Sequence, residues 1–217
     1  MAEFRASDRA FIIHRSEIME RIRVFFRHHH VQDLAVSNTA WSQKEELLAL
    51  EILQHHGITK LSISPTLIWP KWHGIDKVSA ERYRQRMAEQ KMEVVSIHSC
   101  LHERDDLHLF ESDVSRERLI DHMRTVIMLA TWLRAKTVVF SSPRHRKLHG
   151  LTPTQAFQIA AAVFKTLAQF AEKLGVTLCI EPTGELHGSE FGRTPEEVEK
   201  VVDSAMYVHA YISGSDC

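Results

Sequence analysis

A glutamate closes the apolar run Leu178-Cys179-Ile180 and is followed at once by Pro182, so Glu181 stands where a short strand must end. A carboxylate at such a point suits proton abstraction from a carbon beside a carbonyl or hydroxyl, or ligation of a divalent cation. The plain alternative is a glutamate bonded to a neighbouring strand or helix terminus. His98 closes the run Val94-Val95-Ser96-Ile97 in the same way. It reads as a contact to a substrate hydroxyl or a proton carrier, or else as a histidine bonded to a loop carbonyl. Asn38 and Ser141 are the polar ends of two further runs and are candidate substrate contacts. Arg144 and Arg146 follow Pro143, and guanidinium groups make paired bonds to phosphate or carboxylate oxygens. With Lys147 they read equally as a solvated basic loop. His187 is a second polar contact or a solvated loop histidine, and Trp41 and Trp69 are flat apolar walls or loop packing.

The elements that must position these residues repeat. Short apolar runs at 34–36, 61–63, 94–97, 138–140 and 176–180 each end in polar or charged residues, and a helical pattern follows each. In a parallel sheet the C-terminal strand ends converge on one face, where ligands bind. Strands are expected at 33–37, 60–64, 93–98, 137–141 and 176–181, with an alternating stretch at 207–212 as a sixth. Ser42 with Glu45 forms a capping-box pattern before a helix that stops near Gly57. Ser79 opens the next helix. The one after carries Leu119, Met123, Val126, Ile127 and Ala130 on one face. Thr152-Pro153 opens another, with Phe157, Ala161, Phe164 and Leu167 inward, and Thr194-Pro195 the last.

This alternation predicts an α/β fold with parallel strands. Neither G-x-G-x-x-G after the first strand nor G-x-x-x-x-G-K-[ST] occurs, so the common nucleotide-phosphate cradles are absent. Five polar strand ends in succession favour a TIM (β/α)8-type barrel, incomplete, with about five to six βα units before Cys217. Residues 31–217 read as one partial barrel domain. Residues 1–30 read as an N-terminal helical extension, in which Ile18, Ile22, Phe25 and Phe26 share a face. The consecutive His28-His29-His30 point in different directions and lack metal-ligand spacing. An incomplete barrel leaves open strand edges, which predicts a homo-oligomer, or edges covered by residues 1–30.

Lysine and arginine number 27 against 28 aspartates and glutamates, a balance that argues against a nucleic-acid partner. No apolar stretch reaches the ~18 residues of a membrane span, and the run at 11–13 is too short for a leader. Three widely spaced cysteines suit the reducing cytoplasm.

Several of these segments in order resemble the sugar phosphate isomerase/epimerase branch of the xylose isomerase-like TIM barrel superfamily. They are Leu34-Ala35-Val36-Ser37-Asn38-Thr39-Ala40-Trp41, Val95-Ser96-Ile97-His98-Ser99, Val138-Val139-Phe140-Ser141-Ser142-Pro143-Arg144-His145-Arg146, Leu178-Cys179-Ile180-Glu181-Pro182 and Phe191-Gly192-Arg193-Thr194-Pro195-Glu196-Glu197. The resemblance spans roughly residues 33–205. It implies a metal-assisted isomerase or epimerase acting on a small sugar or sugar phosphate, with Trp41 and Trp69 against a sugar face. It also implies a divalent ion (Mn, Mg, Co or Zn) held by acids and a histidine on the last four strands. Only Glu181 matches that ligand set: the expected sixth strand ends at Ser213 where an aspartate belongs, and Asp216 would need a register shift. Two other readings follow, a truncated barrel that binds without catalysis, and an endonuclease-like relative acting at abasic sites, which the charge balance disfavours.

Overall fold

The computed structural model describes residues 34–205 and the backbone of 208–210. The N-terminal extension, Ser213 and Asp216 lie outside the described residues. Six strands form one parallel sheet in sequential order: β1 (Ala35–Ser37), β2 (Lys60–Ile63), β3 (Glu93–Ile97), β4 (Thr137–Phe140), β5 (Thr177–Ile180) and β6 (Val208–Ala210). Helices α1 (Glu46–His55), α2 (Lys77–Glu89), α3 (Asp113–Leu133), α4 (Pro153–Lys173) and α5 (Pro195–Ala205) connect them. This is the partial barrel expected from the βα repeat, with the first five strands each a residue or two shorter than expected.

Local signals set most boundaries. Thr152 caps α4 through Gln155 N–H, with proline at the first helical position. At the entry to α1 the Glu45 carboxylate accepts from both the amide and the hydroxyl of Ser42, but the first turn is a 3-10 turn, Gln43–Glu45. The cap of α2 is Asp76 rather than Ser79. Asp76 accepts from the Ser79 amide, and the Ser79 hydroxyl accepts from the Asp76 amide in return, so the helix starts three residues earlier.

The core lies between the sheet and the helices. Leu61, Ile63, Val94, Ile97, Val138, Phe140, Leu178 and Ile180 point outward into it, where Phe140 meets Phe164 of α4 edge-on at 5.1 Å. The apolar face of α3 is the expected one. That of α4 is rotated: Ala156, Ala160, Val163, Phe164, Leu167, Ala168 and Ala171 are buried, whereas Phe157 and Ala161 are only half-buried. Phe157 packs on the edge of the core.

One residue breaks the strand pairing. Leu61 lies opposite Val94 but Ser62 lies opposite Ser96, so Val95 is an extra residue in a bulge. Side chains alternate along a strand with period two, so one extra residue reverses the facing of everything after it. Ser96 and His98 therefore face the barrel interior.

Arg134 ends α3 in the left-handed conformation, φ 62° and ψ 19°, with an exposed side chain. A Cβ makes that conformation costly, by roughly 1 kcal/mol relative to glycine. Arg134→Gly is expected to stabilise the fold by up to about 1 kcal/mol, read as a raised midpoint in urea with an unchanged slope.

Candidate active site

The inner wall of the sheet carries a row of hydroxyls. Strand pairing places Ser37 opposite Ser62, Ser62 opposite Ser96, Ser96 opposite Thr137 and Thr137 opposite Thr177. The Ser96 hydroxyl donates to that of Ser62 at 2.7 Å. Above this row, toward the C-terminal strand ends, stand His98 after β3, Ser141 after β4 and Glu181 after β5. An apolar outer face and a hydroxylated inner face on the same strands make a cavity wall suited to a polar ligand.

His98 is held from both sides. Its Nε2 lies 2.8 Å from Ser37 Oγ and its Nδ1 lies 2.9 Å from Ser99 Oγ. Ser37 Oγ also accepts from the Thr39 amide at 3.1 Å and lies 2.7 Å from Thr39 Oγ1. Burial holds the imidazole below its usual pKa, so the ring is neutral at pH 7. The His98 ring is thus bonded to two serine hydroxyls and not to a loop carbonyl. Asn38 is buried and ties the first two loops together: its Nδ2 donates to the Ser64 carbonyl at 3.4 Å and its Oδ1 accepts from the Ser64 amide at 2.7 Å.

Glu181 is half-buried, and its backbone amide continues the sheet by donating to Phe140 O at 3.1 Å. Among the described residues its carboxylate makes no hydrogen bond or ion pair. Beneath it lies Arg146, only 1 % exposed. Its guanidinium donates to Phe140 O at 2.8 Å, Glu181 O at 2.9 Å and Gly192 O at 3.3 Å, and it sits over the Phe140 ring. Burial pulls its pKa down to about 10, with the Glu181 charge opposing, so it remains a cation at neutral pH. Arg146 is thus a clamp on three carbonyls. Arg144 is exposed at the rim, Ser141 is half-buried, and His187 is exposed in the loop after β5. Trp69 is buried against Tyr83 at 5.6 Å, and Trp41 is half-buried against the core.

Thiol chemistry has no place at this wall. Burial raises Cys179 to about 11 and Cys100 to about 12, so both stay protonated. The described residues also do not form a metal cage: no group of three His, Cys, Asp or Glu side chains stands close enough to hold an ion. Among the described residues Glu181 has no second ligand beside it, and one carboxylate by itself does not fit a catalytic divalent cation.

A sequence model of the xylose isomerase-like TIM barrel family matches residues 49–206. The chain belongs to that family. Among solved structures it is similar to the 3-keto-D-glucoside 4-epimerase of E. coli, at 13% identity and a TM-score of 0.63, over 83% of this chain and 67% of that one. It is similar to a D-psicose 3-epimerase solved in the presence of D-fructose, at 12% identity and TM-score 0.59, over 76% of this chain and 56% of that one. It is also similar to an L-ribulose 3-epimerase, at 16% identity and TM-score 0.59, over 82% and 59%. The chain thus spans less than two thirds of the length of the latter two. No curated protein matches it by sequence.

Sequence reasoning singled out His98 and Glu181 but missed Ser62 and Ser96 as wall residues and Ser37 and Ser99 as holders of His98. Their signal was the serine pattern at alternate positions, Ser62 with Ser64 and Ser96 with His98.

Two outcomes follow from this geometry. Gly192 has φ +65°, and a Cβ there would lie 3.0 Å from Arg146 Nη1. Gly192→Ala is expected to cost about 1–3 kcal/mol, and Arg146→Met about 2–4 kcal/mol by leaving buried carbonyls unpaired, both read by chemical denaturation. The second outcome concerns pH. Burial depresses the folded pKa of His98 and His145, and that of His122 to about 4, all from 6.5. The unfolded chain therefore takes up these protons first. Stability is full above pH 6.5 and falls as pH drops toward 4. His98→Asn should flatten that slope without abolishing it, as measured by denaturation midpoints across the window.

Proposed function

We propose that the barrel mouth binds a ketose or closely related sugar and moves a proton at the carbon beside its carbonyl, the chemistry of an isomerase or epimerase. The single observation that supports this most is the inner wall itself. A row of hydroxyls lies below two proton-handling groups, and those groups stand on strands two apart. With about 4.8 Å between neighbouring strands, His98 and Glu181 are separated by about 10 Å at the backbone. A sugar carbon placed between them is reached from both sides.

Inverting or relocating a carbon-bound proton calls for one group to remove it and another to return it. The Glu181 carboxylate, without a hydrogen bond among the described residues, is free to accept. On the other side the proton passes through the Ser99 hydroxyl, because both ring nitrogens of neutral His98 are engaged. The bonds of His98 to Ser37 and Ser99, and that of Ser37 to Thr39, satisfy every group with the hydroxyl protons running in either direction. Reversing the direction moves a proton along the chain of side chains from exposed Thr39 to Ser99. Ser141 and the hydroxyl row hold sugar hydroxyls, Trp41 bounds the mouth, and His187 and Arg144 reach in from the rim. Arg144 is the cation open to a phosphate, because Arg146 is engaged by carbonyls.

A second reading, a sugar-binding barrel without turnover, is favoured by the engagement of both His98 ring nitrogens with serine hydroxyls. One experiment separates the two. The full chain is incubated in D2O with D-fructose, D-tagatose or L-ribulose, with and without Mn2+, and NMR follows deuterium entering at the carbon beside the carbonyl. Exchange that falls about 10²- to 10⁴-fold in Glu181→Gln and in His98→Asn supports catalysis. Saturable binding without exchange supports the second reading. Neither exchange nor binding of any of the three sugars overturns both.

A further inference from the structure

One cavity of the molecule is lined by none of Ser37, His98 and Glu181. It has a volume of about 840 Å³ and sits between the loops that follow β4 and β5, at the N-terminal end of α4. That volume is in the range of small-molecule sites. Its apolar wall is Leu148, Phe157 and Phe191. Phe157 is half-buried, packed on the edge of the core with its remaining surface in the cavity. Phe191 is held from behind by Phe110, edge-on at 5.1 Å.

The polar rim is uneven. Formal charges there balance, but their engagement does not. Arg193 binds both Glu185 and Glu197, and Glu190 accepts the Leu148 amide at 2.8 Å. These bonds hold the two loops around the cavity. Lys147 and Lys200 also line it, and neither ammonium has a hydrogen bond or ion pair among the described residues; Lys200 acts only at a distance, on Glu196. The N-terminal end of the 21-residue α4 adds partial positive charge at the same rim.

We propose that this cleft is a binding site for an amphipathic anion, a flat apolar body carrying one carboxylate or phosphate. The body lies against Leu148, Phe157 and Phe191, and the anionic group meets Lys147 and Lys200. An ammonium presents three donors to carboxylate and phosphate alike, so the two head groups are told apart by the test.

The full chain is titrated by calorimetry with 2-naphthoate, 2-naphthyl phosphate and neutral 2-naphthol. At least one anion is expected to bind saturably below about 1 mM, more weakly as salt rises, and at least tenfold more tightly than 2-naphthol. The tighter of the two anions identifies the head group. The double variant Lys147→Glu/Lys200→Glu should weaken binding at least tenfold, and Thr154→Trp, which fills the cleft from an exposed position, should abolish it. All three positions are on the surface, and circular dichroism checks that the variants are folded. Glu181→Gln should bind as the parent does. No saturable binding up to 10-fold above that concentration overturns the proposal. So does equal binding of 2-naphthol, indifference to both variants, or loss of binding in Glu181→Gln, which would place the ligand at the barrel mouth.

Discussion

The site depends on one buried cation. Arg146 gathers the carbonyls at the end of β4, at the start of the loop after β5 and at Gly192 around a single guanidinium. A charge removed from water is costly unless it is well bonded. Here the bonds are to the backbone, so the charge holds the chain in place. The Glu181 backbone is one of the three groups held, which fixes where its carboxylate emerges. Gly192 belongs to the same arrangement, because its left-handed φ and missing Cβ make room for the guanidinium. A solvated arginine reaching for a phosphate and a buried arginine fastening two strand ends are opposite uses of one side chain. Burial decides between them.

The other side of the mouth depends on a single extra residue. Without the bulge at Val95, Ser96 and His98 would point into the helix layer, and Ile97 toward the interior. With it, His98 meets Ser37 of β1, and Ser96 meets Ser62 of β2. The bulge thus creates the polar inner wall and the apolar outer face at once. The hydroxyls orient His98, and burial keeps it neutral and makes it a liability in acid.

Much of the fold was legible in the residues. Short apolar runs with polar ends, punctuated by Ser42, Gly57, Thr152-Pro153 and Thr194-Pro195, specify parallel βα units, because strand period, cap chemistry and glycine's left-handed φ are local properties. Glu181 and His98 were legible as strand-end residues for the same reason. Which face of α4 is buried was not, since Phe157 and Phe164 are equally apolar and the choice between them is made by the segments packed against the helix. Phe157 consequently lines a cleft that no local pattern announces.

What the sequence by itself determined is therefore the kind of elements, their order and the chemical types at their ends. Those follow from interactions within a few residues. The tertiary structure alone decided which side chains face one another: the inward turn of His98, the bond between Ser37 and His98 across 61 positions of chain, and the burial of Arg146 under Glu181. Each rests on strand register and on distance from water. Both are set by packing between segments far apart in the chain, where no periodicity in the sequence reaches.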